Sequence, residues 1–218
     1  MRYNHHCGKK NVSKSSHRWL QEHHRDLYVK QALQAGYRSR AVYKLAQLDI
    51  HDRLFHPGMT VVDLGAAPGG WSQWVLERLS GQVRIFALDL LEMSPLAGVT
   101  FIQGDFCELS VIAELRQRLG NDAVDLVMSD LSPNITGVKA IDQPRALSLA
   151  EHAIEFASTA LKPGGHFLTK LFQGEGFDNY LKELRSHFKQ VTIRKPAASR
   201  SRSAEVYLVA KYHIAKIS

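Results

Sequence analysis

Thr60-Val61-Val62-Asp63-Leu64-Gly65-Ala66-Ala67-Pro68-Gly69-Gly70-Trp71 runs from an apolar strand through a turn of small residues into a helix that begins near Trp71. Glycine and alanine let a backbone approach a ligand closely, and a helix start offers N–H groups without partners. By itself the pattern is a weak nucleotide-cofactor signal. Three acids strengthen it, because Asp89, Asp105 and Asp130 each close a predicted strand. Around this stretch, apolar strands alternate with amphipathic helices. Strands are predicted at 60–64, 83–88, 99–102, 124–129 and 165–172, and helices at 71–80, 110–119, 142–161 and 177–188. Two more strands, at about 189–194 and 205–212, flank the loop Lys195–Ala204. Such alternation implies an α/β fold, Rossmann-like, with a mostly parallel sheet covered by helices on both faces. Asp142 is expected to cap the helix near 142, with Pro144 in its first turn, and Lys162-Pro163-Gly164-Gly165 to end it.

Upstream, residues 1–16 read as a disordered basic tail, followed by helices at about 18–35 and 39–52. From 17 onward a single domain is expected, as suits 218 residues, with a helical extension over about 17–56. No apolar run is long enough to cross a bilayer, and the start of the chain shows no secretory signal. Cys7 and Cys107 form no disulfide framework, which points to a reducing cytoplasm. His5, His6 and Cys7 lack the further ligands that a metal site needs, so no metal is expected.

Charge is unevenly placed. Residues 1–58 carry 11 Lys and Arg against 4 acids, residues 59–184 carry 9 against 16, and residues 185–218 carry 8 against 1. An acidic centre between two basic ends suggests a catalytic body with extensions that grip a polyanion. RNA phosphates are expected at Arg18, Lys30, Arg38 and Arg40, and across the cleft at Arg194, Lys195, Arg200 and Arg202.

Asp89, 24 residues beyond Gly65, fits an acid that accepts ribose hydroxyls. Asp105 can accept from an adenine amino group, with Phe106 lining the ring. The chain has no GxxxxGK[ST] element, and Ala67 stands where a dinucleotide fingerprint needs glycine. Asp63 precedes the turn and suits a positively charged ligand. S-adenosylmethionine, with an amino group, a sulfonium and no phosphate, fits these features better than a nicotinamide cofactor. Lys170 lies in the apolar strand Gly165–Phe172, where a charge is costly unless paired. Glu205 opens the apolar run Val206–Val209, and Lys44 sits on a helix outside its apolar stripe.

With these residues in view, the chain closely resembles the bacterial FtsJ-type (RrmJ) ribosomal RNA large subunit 2′-O-ribose methyltransferases. Arg18–His23, Arg38-Ser39-Arg40-Ala41, Asp63–Trp71, Ser129-Asp130, Phe172–Phe177 and Arg194-Lys195-Pro196 carry the likeness, which covers about Ser15 to Tyr212. The resemblance implies a seven-stranded methyltransferase fold and a catalytic tetrad of Lys44, Asp130, Lys170 and Glu205. Cofactor contacts fall on Gly69, Trp71, Asp89, Asp105 and Asp130, with Asp63, Gly65, Ala67, Pro68, Gly70 and Phe106 completing the expected cradle. Its target is a uridine ribose in the A-loop of 23S rRNA, on naked RNA or on the 50S particle, and nothing demands more than a monomer. Lys170 is given the role of base, or of the group that orients the oxygen. A non-catalytic ribosome-assembly factor on a methyltransferase fold is the alternative.

Overall fold

The computed structural model describes residues 27–200 and 203–214. The expected tail and the start of the first helix, with Arg18, lie outside these residues, as does Arg202. Two helices come first, α1 (Leu27–Gln34) and α2 (Val42–Asp52). α2 buries Val42, Leu45 and Leu48. The rest alternates: β1 (Met59–Leu64), α3 (Gly70–Arg78), β2 (Val83–Asp89), β3 (Val99–Gln103), α4 (Leu109–Leu119), β4 (Val124–Ser129), α5 (Lys139–Ala160), β5 (Leu161–Phe172), α6 (Phe177–His187), β6 (Phe188–Arg194) and β7 (Glu205–His213).

The seven strands form one sheet in the order β3-β2-β1-β4-β5-β7-β6. β1 and β4 are buried along their whole length, as befits central parallel strands covered on both faces. Their alternation shows in the packing. Val62, Leu64 and Val127 join the core on one face, while Val61, Leu126 and Met128 join the other under α2 and α3. The chain moves outward from β1 to β2 and β3, then returns to start β4 on the other side. A crevice opens at such a reversal, above the carboxyl ends of the strands.

β7 is antiparallel to β5, with Lys170 opposite Tyr207 and Phe172 opposite Glu205. That reversal matters for function. Only an antiparallel strand places its first residue, Glu205, at the edge where Asp130 and Lys170 also emerge.

Two local expectations need correcting. α5 starts at Lys139, one turn earlier than expected, so Asp142 is not its cap and Pro144 lies inside the helix. Asp142 instead reaches back to accept hydrogen bonds from the backbone N–H groups of Thr136 (2.8 Å) and Gly137 (2.9 Å). Lys162–Gly165 does not precede the strand but bulges from it, between the pairs Val124↔Leu161 and Leu126↔His166. Gly164 takes a positive φ of 80° there, which explains why a turn-like sequence lies within a strand.

Candidate active site

The turn after β1 is pinned from below and from the side. The N–H groups of Gly65 and Ala66 donate to the Leu88 carbonyl, at 2.9 and 3.2 Å. Asp89 accepts from the backbone N–H of Ala67 (2.8 Å) through one oxygen and from that of Leu91 (2.8 Å) through the other. Each oxygen keeps a lone pair for a ligand hydroxyl. A pocket of about 670 Å³ opens beside this turn, and Gly65, Ala67, Asp89, Asp105, Phe106 and Asp130 are in its wall, with Lys170. Three carboxylates of this wall, Asp89, Asp105 and Asp130, suit a cationic ligand portion, beside the cations Lys170 and Arg145.

The other expected contacts lie outside that wall. Gly69 caps α3 in the left-handed region (φ 99°), and Gly70 packs against Ser39. Pro68 offers its carbonyl to Arg38 (3.3 Å). The Trp71 indole is buried, donates to the Ala41 carbonyl (2.9 Å), and packs on the Tyr207 ring at 6.0 Å between centroids. It thereby clamps α2, and with it Lys44, against β7.

Asp63 is fully buried, accepts from the Ser72 hydroxyl (2.6 Å), and leaves its other oxygen without a hydrogen-bond partner. Burial pushes its carboxyl up to about 7, opposed by the Ser72 bond and reinforced by Asp130 and Asp89. Protonation therefore favours the folded chain, and that contribution is lost as pH rises from about 4 through about 7. Asp63→Asn keeps an acceptor for Ser72 and removes the proton linkage. Its stability relative to the native chain should climb by on the order of 4 kcal/mol over that window and then level off. Denaturant titrations at several pH values check this, and a pH-independent difference would contradict it.

All four residues of the expected tetrad come together, although they arise from α2, the residue after β4, β5 and β7. Lys170 Nζ donates to the Asp130 carbonyl (2.8 Å) and pairs with Asp130 Oδ1 (3.1 Å). Lys44 Nζ pairs with Glu205 Oε1 at 2.7 Å. Tyr207 joins the two pairs: its hydroxyl donates to Asp130 Oδ1 (2.9 Å) and accepts from Lys44 Nζ (3.1 Å). Ser199 adds a hydrogen bond to Glu205 (3.0 Å). Burial alone would raise the Asp130 carboxyl. Lys170 and Lys44, with the Tyr207 bond, more than offset that and hold it below the ordinary carboxylate range. Burial, with Asp130 and Glu205 nearby, pushes the Tyr207 phenol well above its usual value, so it remains a donor. Asp130 and Lys170 face the pocket, while the other members stand behind them.

Sequence reasoning passed over Tyr207 and Ser199. Tyr207 reads as one more apolar strand residue, yet a tyrosine in a fully buried strand must find a partner for its hydroxyl. That requirement was the available signal.

Among the six expected RNA-facing cations that are described, most are engaged by the protein itself. Arg38 donates to the carbonyls of Pro68, Ser94 (2.6 Å) and Pro95 (2.8 Å), bridging α2's approach to the β2–β3 connection. Arg40 donates to the Ala198 carbonyl, and Lys195 to that of Ser203 (2.7 Å). Arg194 grips Asp52 through two bonds of 2.8 and 3.0 Å. Lys30 is exposed and Arg200 is half-buried. Arg194→Ala would leave the buried Asp52 carboxylate without its fork. A loss of about 1–3 kcal/mol is expected by thermal or chemical unfolding, discounted for the solvent reaching Arg194. An unchanged midpoint would assign Arg194 to the surface alone.

Among the described residues, no group of three or more metal-ligating side chains is placed to hold an ion, and no helix is long and apolar enough to cross a membrane. A family profile described as FtsJ-like methyltransferase matches residues 37–213, spanning every element from α2 to β7. The chain belongs to that family. A protein of Nitrosospira multiformis named ribosomal RNA large subunit methyltransferase E is 57% identical over 197 residues, covering 90% of this chain and 96% of its own. The protein of that name from Xanthomonas campestris pv. campestris is 58% identical over 205 residues, covering 94% and 98%. In three dimensions the chain is similar to a crystal structure described as a ribosomal RNA methyltransferase from Plasmodium falciparum, with a TM-score of 0.75 at 30% identity, over 83% of this chain and 100% of that one. Human methyltransferase-like protein 13 shares the fold, at a TM-score of 0.53 and 18% identity, over 79% and 80%. In this FtsJ-like methyltransferase, Asp130 and Lys170 stand in the pocket wall with Lys44 and Glu205 behind them.

Proposed function

We propose that this methyltransferase uses S-adenosylmethionine to methylate the 2′-hydroxyl of a uridine in the A-loop of 23S rRNA, with the 50S particle as substrate. One observation carries the reading. A hydrogen-bonded chain from Lys170 through Asp130, Tyr207 and Lys44 to Glu205 opens, at its Lys170–Asp130 end, into an acid-walled pocket. The names of the bacterial relatives support large-subunit rRNA as the target.

Each residue then has a task. Asp89 accepts the ribose hydroxyls of the donor, Asp105 its adenine amino group, and Phe106 lines the ring. The closely approached turn at Gly65 and Ala67 and the carboxylate of Asp130 hold its cationic portion. When bound, the donor supplies an electrophilic methyl carbon. Lys170 meets the attacking 2′-oxygen at Nζ: as the neutral amine it takes the hydroxyl proton and becomes the ammonium, or as the ammonium it orients the oxygen while that proton passes to water. Asp130 fixes Lys170 by two contacts, and Tyr207 transmits the position of Lys44 and Glu205 to Asp130. Alignment of this kind is worth several kcal/mol when the reacting atoms meet in a near-attack geometry. The flanking cations contribute potential across the cleft, so binding of particles should weaken steeply with salt.

The test maps 2′-O-methyl groups on rRNA from cells with and without the protein, then supplies purified chain and labelled S-adenosylmethionine to the unmethylated particles. One A-loop ribose gaining the label is the expected result. Label on a base, or none, would overturn the reading.

A further inference from the structure

The connection from β4 to α5 carries a knob of exposed aliphatic side chains that no other described residue covers. Ile135 and Val138 are 60% and 50% exposed, and Ile141, in the first turn of α5, is 43% exposed. Exposed branched aliphatic side chains so close in sequence mark a candidate contact surface. Hydrogen bonds brace this connection. The Asp142 carboxylate accepts from the Thr136 N–H and hydroxyl, both at 2.8 Å, and from the Gly137 N–H at 2.9 Å. Thr136 in turn accepts from the Val138 N–H (3.2 Å), and Gln143 ties the base of the knob to the Gln173 carbonyl beyond β5 (3.1 Å).

The knob also stands at the right place. Asp130 belongs to the catalytic chain, Leu131 to Asn134 line the pocket, and Ile135 is the next residue. Beside it, Lys139 and Arg145 are exposed and hydrogen-bond to none of the described residues, and Arg145 reaches the pocket wall. Asp142, on the same rim, is hydrogen-bonded by the loop and also feels the charge of Arg145. Contrast the opposite bank, where Arg38, Arg40, Arg194 and Lys195 are bonded to the protein itself.

We propose that this rim is a second RNA-contact surface: the Ile135–Val138–Ile141 knob wedges against the base of a nucleotide flanking the methylated one, while Lys139 and Arg145 hold adjoining phosphates. The inference rests on the 2′-O-methylation reading above. Sequence-specific RNA recognition favours nucleotides splayed out of the stack, and apolar wedges are one way proteins part neighbouring bases, with cations on the adjoining phosphates. Preorganisation by Asp142 removes the cost of ordering the loop on binding.

The test compares native chain, Ile135→Ser/Val138→Ser, Lys139→Ala and the conservative Ile135→Leu/Val138→Ile. Retention of 50S particles from cells lacking the protein is read by filter binding without cofactor. S-adenosylmethionine affinity is read by calorimetry, and folding by melting temperature. About tenfold weaker retention is expected for each of the first two variants, with cofactor affinity and melting unchanged and the conservative pair near native. A photocrosslinking amino acid at position 135 should attach to 23S rRNA. Unchanged retention, a parallel loss of cofactor affinity, or a crosslink on a ribosomal protein would each overturn the proposal. Native chain that binds particles but transfers no methyl group would sink the proposed reaction instead, leaving the rim to be judged by retention.

Discussion

Lys170→Met is expected to lower methyl transfer to ribosomal particles by about a thousandfold, within the range assigned to a positioned proton-transfer group, while S-adenosylmethionine affinity changes only a few-fold. Methionine keeps the length of the side chain and fits the apolar neighbours on β5, so the fold should persist. What disappears is the amine that holds the Asp130 carbonyl at 2.8 Å and its carboxylate at 3.1 Å. Asp130 retains the Tyr207 hydroxyl and the charge of Lys44, so the pocket wall survives. Lys170→Arg separates the two roles. A guanidinium keeps the charge and the donors but does not give up its proton in proteins. Substantial turnover in the arginine variant would make Lys170 an orienting group, and loss equal to that of methionine would make it the base. Near-native single-turnover rates in Lys170→Met would remove it from the reaction.

The contrast between Lys170 and Arg194 shows what can be read from a linear chain. A lysine within an apolar strand is anomalous on sight, because burial demands a partner. Its neighbours in space were legible only through family likeness: Lys44 and Glu205 are separated by most of the chain and meet because β7 runs antiparallel to β5. Strand positions followed from apolar runs between turn residues, and the structure shifts most of their ends by only a residue or two. The bulge at Lys162–Gly165 and the early start of α5 escaped for one reason. Turn-forming residues mark where a chain bends without saying whether pairing resumes on the far side. Arg194 was misleading in the opposite way. A cation in a basic segment looks like a phosphate ligand, yet the bidentate partner, Asp52, lies in a helix near the other end of the chain. Charge counts give the sign of a surface and not the partner of each arginine.

Gly65→Ala should be the most damaging substitution that removes no functional group. Gly65 holds a φ of 77°, which already costs an alanine roughly 1–2 kcal/mol. An added Cβ would also stand 2.9 Å from the Leu131 nitrogen and 3.2 Å from the Asp130 carbonyl carbon, both backbone atoms with little room to yield. Relief requires the ends of β1 and β4 to part, and that motion carries Asp130 away from Lys170 and Tyr207. A displacement of about 1 Å at a reacting centre costs on the order of a hundredfold in rate. Lower stability by a few kcal/mol should therefore accompany a transfer rate down by at least that factor, together with weaker donor binding, because the same turn lines the pocket. Gly58→Ala is the informative control: its φ of 83° imposes similar strain, but no atom lies within 4 Å of its added Cβ. Equal loss of transfer in both variants would show that strain alone is felt at the site. Loss confined to Gly65→Ala would show that the gap between β1 and β4 sets the catalytic geometry.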